Sequence, residues 1–307
     1  MAMPDDYMRY PHRHYGMDQD RYDWSMLQRR KPVQWPNGAR VALWIVPTLE
    51  WFPLDMAGKP FKAPGGMVMA YPDLRHYTLR DYGNRVGIYR ILDALKTRGL
   101  KASVAANAAV AARYPYLLKE VVGQGHEVIA HGLHMDRIHH GGMTEKDEKA
   151  TIAQSLDVLR KGSGQKVRGW LSPARSESYA TPDLLAEQGI DYLCDWVNDD
   201  MPYEFRAKSR AIHAMPLSAE IDDYAISIQF HFSEDELVHH IVDQFEMLYE
   251  EAGREGGRIL SLSLHPWITG QPYRIAYLEK ALDMVMRRAG VWNATGAEIL
   301  DAWKAQQ

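Results

Sequence analysis

The segment HGLHMDRIHH, residues 131–140, places four histidines within ten residues. Imidazoles at such spacing can bind a divalent ion together with a carboxylate, or they can act as general acids and bases near neutral pH. His131 and His134 are three residues apart, Met135 lies four residues after His131, and Asp136 follows it. This spacing permits a metal site without specifying one. One functional histidine beside several solvated ones is an equally good interpretation.

Two further residues have the position and chemistry of catalytic groups. Glu50 ends the apolar run VALWIVPTL and precedes the aromatic pair Trp51 and Phe52. An apolar pocket raises the pKa of a carboxylate and suits it to general-base work; the alternative is that Glu50 only anchors the following loop. His265 ends the run RILSLSL, where an imidazole would titrate near neutrality. Three such groups at three predicted strand ends indicate a site.

Other polar residues are weaker candidates. Arg175, in WLSPARSES, could bind an anionic or carbonyl-bearing substrate in a bidentate manner, or it could form a local ion pair. Asp195 opens the acidic segment DWVNDD, in which Asp199 and Asp200 are also good turn formers. The single cysteine, Cys194, lies in an apolar run and is interpreted as a small buried hydrophobe. The chain has no GxGxxG, P-loop, GxSxG or CxxC motif, which argues against dinucleotide, ATP, serine-hydrolase and zinc-ribbon chemistry.

The elements around these residues predict an α/β fold. From Arg40 onward, short apolar runs alternate with helix-period segments, which is typical of βα units in a largely parallel barrel. We expect the first strand to close at Pro47, a long loop from Trp51 to about Asp81 that shapes a binding site, and a strand over residues 225–232. In such barrels the chemistry lies at the carboxyl ends of the strands. The residues predicted at those ends are Glu50, His131, Pro173, Asp195 and His265.

Composition limits the class of protein. The chain has 307 residues, 46% hydrophobic and 25% charged, and a formal charge of -4, which argues against nucleic-acid partners. No apolar stretch has transmembrane length, and no secretory signal is evident, so we expect no membrane partner and a cytoplasmic location. Residues 1–39 form a polar, aromatic N-terminal arm, and residues 40–307 form one catalytic domain. The arm needs a surface to cover, on its own domain or on a neighbour, so we expect a homo-oligomer, a dimer or a tetramer.

The ordered motifs resemble a known family. Over roughly residues 40–303 the order of motifs resembles that of the polysaccharide deacetylase (NodB-homology) superfamily. The motifs, in chain order, are GHEVIAHG, WLSP, the DW after IDYLC, LSLHP and GVW. The entry loop and the ending LHPWITGQPYR are most similar to the branch with cofactor-free allantoinases, cyclic imide hydrolases and a peptidoglycan-deacetylase-like protein. The resemblance implies a distorted parallel (β/α) barrel of NodB-homology type, oligomers and hydrolysis of C–N bonds.

The resemblance also implies roles for particular residues. It makes Glu50, His131 and His265 the catalytic residues. The substrate-binding candidates are Arg175, Trp51, Asp195 and Trp267. At two of the family's three metal-ligand positions this chain has Trp51 and Met135, so the metal site is in question. The candidates for it are Glu50, His131, His134 and Asp136. One zinc-like divalent ion is therefore a candidate cofactor, and a metal-free mechanism stays open.

The predicted function is hydrolysis of a non-peptide C–N bond in a small amide or imide, cyclic forms included. One alternative is N-deacetylation of a sugar or polysaccharide, which the expected bulky loop after Trp51 disfavours because it would narrow a groove into a pocket. Another alternative is a non-catalytic barrel that binds a small molecule. The presence of Glu50, His131 and His265 together argues against a mere binder.

Overall fold

A curled, mostly parallel sheet is the framework of the molecule. The computed structural model describes residues 19–56 and 72–307. Within them the strands are β1 Val41–Leu49, β2 Ser103–Ala106, β3 Glu127–Ala130, β4 Gly169–Trp170, β5 Tyr192–Leu193, β6 Tyr203–Phe205, β7 Ile212–Ala214, β8 Arg258–Leu264 and β9 Val291–Asn293. Their order is β6-β7-β5-β4-β3-β2-β1-β8, and β9 also pairs with β1. Only the β6–β7 pairing is antiparallel in the described chain. The predicted distorted (β/α) barrel is confirmed.

Helices connect successive strands. They are α1 Leu74–Tyr82, α2 Ile88–Thr97, α3 Ala108–Arg113, α4 Pro115–Gly123, α5 Glu145–Ser163, α6 Thr181–Glu187, α7 Glu234–Glu255, α8 Ile275–Met286 and α9 Gly296–Lys304. Two π-helical turns span Gly83–Gly87 and Ala225–Gln229. Thr144 is the N-cap of α5, and its side chain accepts a hydrogen bond from the N–H of Asp147. None of the helices in the described ranges has the length and apolar character needed to cross a bilayer.

Strand β1 lies between two apolar clusters. Every residue of Val41–Leu49 is buried. Its alternate side chains divide between the clusters, because successive strand residues point to opposite faces: Val41, Leu43 and Ile45 pack with α2, whereas Ala42, Trp44 and Val46 pack with the arm and α9. A strand covered on both faces reads as a continuous apolar run. Such a run fixes the position of the residue that follows it, Glu50.

Three local predictions need correction. The first strand does not close at Pro47, which is still in register with Leu264 of β8, but continues to Leu49, where it pairs with β2. The loop after Trp51 ends before residue 81, because α1 begins at Leu74 with Asp73 as its N-cap; residues 57–71 of that loop lie outside the described residues. The predicted strand over residues 225–232 is wrong. A π-helical turn forms there instead, and its Phe230 N–H bonds the carbonyl of Ala225.

The described part of the N-terminal arm, residues 19–39, packs on its own barrel. Arg21 forms an ion pair with Asp183 at 2.7 Å, and Arg30 forms one with Asp199 at 2.8 Å. The ring of Trp35 is buried and donates from Nε1 to the carbonyl of Arg258. Residues 1–18 lie outside the described residues. The arm therefore covers its own domain at least in part, and the homo-oligomer stays a prediction.

Candidate active site

The three predicted catalytic residues lie together at the carboxyl ends of the strands. Glu50 follows β1, His131 follows β3, and His265 follows β8. The Oε1 atom of Glu50 is 3.7 Å from Nε2 of His131 and 3.7 Å from Nε2 of His265. Both distances are too long for a direct hydrogen bond. One carboxylate oxygen thus faces two imidazole nitrogens across gaps of 3.7 Å.

Two asparagines hold the backbone of this site. Asn84 donates from Nδ2 to the carbonyl of Glu50 at 2.8 Å. Asn107 accepts from the N–H of Trp51 at 2.8 Å and donates to the carbonyl of His131, so it joins the ends of β1 and β3. The sequence analysis missed both. Asn107 directly follows β2, so the strand-end rule that selected Glu50 could also have found it.

The helical segment that carries Asn84 lies unusually close to the loop after β8. A Cβ atom on Gly87 would lie 2.0 Å from the carbonyl oxygen of Pro266, and one on Gly83 would lie 2.8 Å from the backbone nitrogen of Trp267. No side chain fits at either glycine without movement of the backbone. This contact brings Arg80, on the last turn of α1, into the site.

Arg80 is a site residue that the sequence analysis did not identify. Its guanidinium lies 3.7 Å from Oε2 of Glu50. The same guanidinium stacks on two aromatic rings, 3.9 Å from the centroid of Trp267 and 4.5 Å from that of Phe52. Cation–π contacts of this kind hold a cation in a buried, partly apolar position. Arg80 therefore places a fixed positive charge beside the Glu50 carboxylate.

The pKa of Glu50 is lowered to about 2, not raised as the sequence analysis predicted. Burial alone would raise it, but the charge of His265, the neighbouring His131 and the charge of Arg80 together outweigh burial. Phe52 stacks on Arg80, which faces Glu50, and the sequence analysis did not predict the cations around this carboxylate. Glu50 is therefore a carboxylate at neutral pH.

His265 has the opposite electrostatic character. Its Nδ1–H donates to Oδ1 of Asp223 at 2.7 Å, and Asp222 Oδ1 lies 3.5 Å from the same nitrogen. Burial alone would lower the pKa of His265, but the carboxylates of Asp222, Asp223 and Glu50 raise it to about 10. His265 is therefore protonated at neutral pH and presents an Nε2–H donor toward Glu50.

Asp222 and Asp223 were also missed by the sequence analysis. They precede the π-helical turn Ala225–Gln229, in the region where a strand was predicted. Asp222 also contacts Arg175, which donates to the carbonyl of Leu217 at 2.9 Å and lies 3.4 Å from Asp222 Oδ2. Arg175, predicted to bind substrate, is thus engaged by one of the residues that support His265.

His131 is held in one tautomer. Its Nδ1 lies 2.8 Å from the carbonyl oxygen of Leu171, and a carbonyl can only accept, so Nδ1 carries a hydrogen. In the neutral ring, Nε2 then has a free lone pair. That atom is buried and has no hydrogen-bond partner among the described residues. His131 therefore presents an acceptor toward Glu50, whereas His265 presents a donor.

The other histidines of the 131–140 segment lie elsewhere. The ring of His134 packs edge-on against Trp51, with 5.8 Å between centroids. His139 is completely buried, and its Nδ1 lies 3.0 Å from Oε1 of Glu148 on α5. His140 is exposed. The segment therefore contributes one imidazole, His131, to the group around Glu50.

We expect His139→Ala to act on stability rather than on chemistry. The substitution leaves the buried Glu148 carboxylate without one of its partners, and losing such a hydrogen bond costs about 1–3 kcal/mol of unfolding free energy. Urea unfolding measures this change, with the exposed His140→Ala as the matched control, expected within about 0.5 kcal/mol of the wild type. An inactive His139→Ala protein of unchanged stability would contradict this assignment.

One group within the described residues has the spacing of a metal site: ligand atoms of Asp222, Asp223 and His265 lie within 4.8 Å of one another. Their lone pairs are already used. Asp223 accepts from His265 and from Thr269 at 2.5 Å, and Asp222 faces Arg175. A cation would have to displace the His265 proton beside a guanidinium, so these residues do not fit a metal. The predicted candidates, Glu50, His131, His134 and Asp136, do not form a three-ligand group in the described structure.

The remaining predicted substrate-binding residues lie at different depths. The indole of Trp51 stacks under the guanidinium of Arg113 at 3.8 Å. Trp267 is buried beneath Arg80, and its Nε1–H has no partner in the described part of the chain. Asp195 does not contact Glu50, but its Oδ1 accepts from the N–H of Ser172 at 2.7 Å. It therefore lies behind the site.

An open parallel barrel with acid–base groups at the carboxyl ends of its strands has the arrangement of a (β/α)-barrel enzyme. Residues 77–193 match the family model for polysaccharide deacetylase, which confirms the resemblance that the motifs predicted.

The similar proteins each cover 72% or more of this chain. A Schizosaccharomyces pombe relative that carries the polysaccharide deacetylase name is 26% identical over 90% of this chain and 95% of its own. The peptidoglycan deacetylase of Helicobacter pylori is 24% identical over 72% of this chain and 84% of its own. Among solved structures, PuuE allantoinase aligns with a TM-score of 0.83 at 23% identity, covering 93% of this chain and 98% of its own. A probable polysaccharide deacetylase from Pseudomonas aeruginosa PAO1 aligns with a TM-score of 0.81 at 26% identity, covering 89% of this chain and 94% of its own.

Proposed function

We propose that this protein hydrolyses the C–N bond of a small amide or imide, cyclic forms included, without routing the chemistry through a metal. The observation that carries the proposal is the opposite character of the two imidazoles that face Glu50 Oε1. His131 is fixed with an Nε2 lone pair, and His265 is fixed as a cation. Amide hydrolysis requires a base that takes a proton from water and an acid that protonates the leaving nitrogen. His131 and His265 place one of each character at equal distances from the Glu50 carboxylate.

The reaction divides between these groups. A water molecule that lies beside Glu50 Oε1 and Nε2 of His131, within hydrogen-bond distance of both, can donate one proton to each, which directs its oxygen lone pair at a substrate carbonyl. Attack forms the C–O bond as Glu50 takes the proton, and the carbonyl becomes an oxyanion next to the positive charge of His265. The C–N bond then breaks as the leaving nitrogen takes the Nε2 proton of His265. The products are a carboxylic acid and an amine or amide.

Arg80 and the low pKa of Glu50 fit together in this scheme. A carboxylate with a pKa of about 2 is always ionised but is weakly basic. When negative charge develops on the substrate oxygen, that oxygen competes with Glu50 for the positive charge of His265. The basicity of Glu50 then rises as the transition state forms. Arg80 keeps the carboxylate ionised and oriented until that moment.

A small substrate is favoured by the depth of the site. Glu50, His131 and Arg80 are each less than 10% exposed. A polymer that lies on the surface would have to deliver its amide group into this buried position. N-deacetylation of a sugar is the second candidate, supported by the family model and by the Helicobacter pylori relative. A barrel that only binds a small molecule is the third.

A hydrolysis panel separates these functions. The purified protein is assayed on hydantoins, cyclic imides, allantoin and N-acetyl sugars, with and without a strong chelator, and its metal content is measured in parallel. We expect turnover of at least one small amide or imide that the chelator does not abolish. Turnover confined to N-acetyl sugars would favour the second candidate, and binding without turnover would favour the third. Loss of all activity with chelator, restored by added metal, would contradict the metal-free scheme.

A further inference from the structure

One peptide unit joins His131 to a buried carboxylate on a different strand. The carbonyl of Leu171 accepts from Nδ1 of His131 at 2.8 Å, and the N–H of the same peptide bond, on Ser172, donates to Oδ1 of Asp195 at 2.7 Å. The hydrogen-bond chain therefore runs from Asp195 through a single amide group to the imidazole. Ser172 is fully buried, so no solvent competes for these bonds.

Asp195 is itself fixed by a second carboxyl group. Glu177 lies beside it, and the indole N–H of Trp196 donates to Glu177 Oε2 at 3.1 Å. Glu177 Oε1 and Asp195 Oδ2 are both buried and have no donor among the described residues, and one proton shared between the two carboxyls would satisfy both. Burial and the charge of Asp195 raise the pKa of Glu177 well above its ordinary range, so Glu177 holds the shared proton. The negative charge then stays on Asp195, the carboxyl that faces the peptide.

The direction of this chain has a chemical consequence. A peptide carbonyl becomes a stronger acceptor when its own N–H donates to a negative group, because hydrogen bonds in series polarise one another. A stronger acceptor at Leu171 favours the Nδ1–H tautomer of His131 over the Nε2–H tautomer. Only the Nδ1–H tautomer leaves a lone pair on the Nε2 atom that faces Glu50.

We propose that Asp195, with Glu177 as its proton-sharing partner, is a positioning residue that fixes the tautomer of His131 through the Leu171–Ser172 peptide. The effect of Asp195 on catalysis rests on the proposed function, whereas its effect on the tautomer of His131 does not. Asp195 was a substrate-binding candidate from the sequence, and this assignment gives it a different role. Asp223 contacts His265 directly and keeps a proton on that ring. Asp195 acts on His131 through the Leu171–Ser172 peptide, without contacting the ring, and keeps its Nε2 atom unprotonated.

The tautomer is measured by nitrogen-15 NMR of protein labelled at its histidines, with His131→Ala used to assign the signal. Two-bond proton–nitrogen correlations distinguish the Nδ1–H from the Nε2–H form without any substrate. We expect the neutral His131 ring of the wild type to show the Nδ1–H tautomer. Wild-type protein in the Nε2–H form would overturn the proposal whether or not the chain hydrolyses amides.

Two variants that keep the shape of the carboxyl pair test the role of charge. Glu177→Gln leaves the charge on Asp195 and supplies a permanent donor to it, so wild-type tautomer and kcat are expected. Asp195→Asn keeps an acceptor for Ser172 but moves the charge away from the peptide; we expect a mixed His131 tautomer and kcat reduced about tenfold at little change in KM. Melting temperatures check that both variants fold. Asp195→Asn with a wild-type tautomer, or Glu177→Gln with the larger effect, would overturn the assignment.

Discussion

Glu50→Gln is expected to lower kcat by about two to four orders of magnitude while the fold stays intact, because a neutral amide of the same shape cannot accept the proton of the attacking water. The loss should appear in kcat rather than KM, since the base acts on water and not on substrate binding. Steady-state kinetics on the best substrate of the panel measures it. Arg80 keeps its contacts with the rings of Phe52 and Trp267 when the Glu50 charge is removed, so its guanidinium stays in place in the variant.

The exposed Glu220→Gln is the matched control, with kinetics expected to equal those of the wild type. Circular dichroism and melting temperature establish that Glu50→Gln is folded. A folded Glu50→Gln protein with wild-type kcat would remove Glu50 from the mechanism. In that case His131, whose Nε2 lone pair faces the same gap, would be the next base to test.

The three residues around the gap were predictable because each directly follows an apolar strand. Glu50 and His265 end runs that are buried along their whole length, and His131 follows Glu127–Ala130. Parallel strands bring their carboxyl ends to one edge of the barrel, so strand ends that are far apart in sequence converge there. Residue type and position at a strand end together were enough to predict these three residues, and neither required knowledge of side-chain packing.

Arg80, Asp222 and Asp223 could not be found in this way. Arg80 comes from a helix, and it reaches Glu50 because Gly83 and Gly87 let that helix touch the loop after β8, a contact between distant segments. The acidic pair lies before residues whose alternating pattern predicts a strand but which form a π-helical turn. The local sequence pattern predicts secondary structure poorly where long-range hydrogen bonds determine the backbone conformation. The bonds that the His265 N–H donates to Asp223 are of this kind.

The same distant contacts explain why the pKa of Glu50 was predicted in the wrong direction. The sequence shows the neighbours of Glu50 along the chain, Trp51 and Phe52, and apolar neighbours alone would raise the pKa. The charges that lower it come chiefly from His265 and Arg80, neither of which is close in sequence. The ionisation state of a buried group therefore depends on tertiary neighbours, even where its position does not.

His265→Gln is expected to lower kcat/KM by about two to four orders of magnitude, because the ring supplies both the leaving-group proton and the charge that faces the oxyanion. The pH dependence tests which protonation state is active. In the wild type the carboxylates of Asp222, Asp223 and Glu50 raise the pKa of His265 to about 10. We therefore expect kcat/KM to fall on the alkaline side as the pH passes about 10, where the acid loses its proton.

Asp222→Asn should move that alkaline limb toward lower pH by about one to three units, because removing a nearby negative charge makes protonated His265 a stronger acid. The substitution keeps an acceptor for the N–H of Tyr224 and leaves the Asp223 hydrogen bond to His265 in place. The exposed Asp243→Asn removes a carboxylate from α7 and serves as the matched control, with the alkaline limb expected at its wild-type position. If Asp222→Asn and the wild type lose activity at the same alkaline pH, the limb belongs to another group and His265 is not the acid. If activity instead rises with pH through this range, neutral His265 is the active form. His265 would then act on the base side of the reaction and His131 on the acid side.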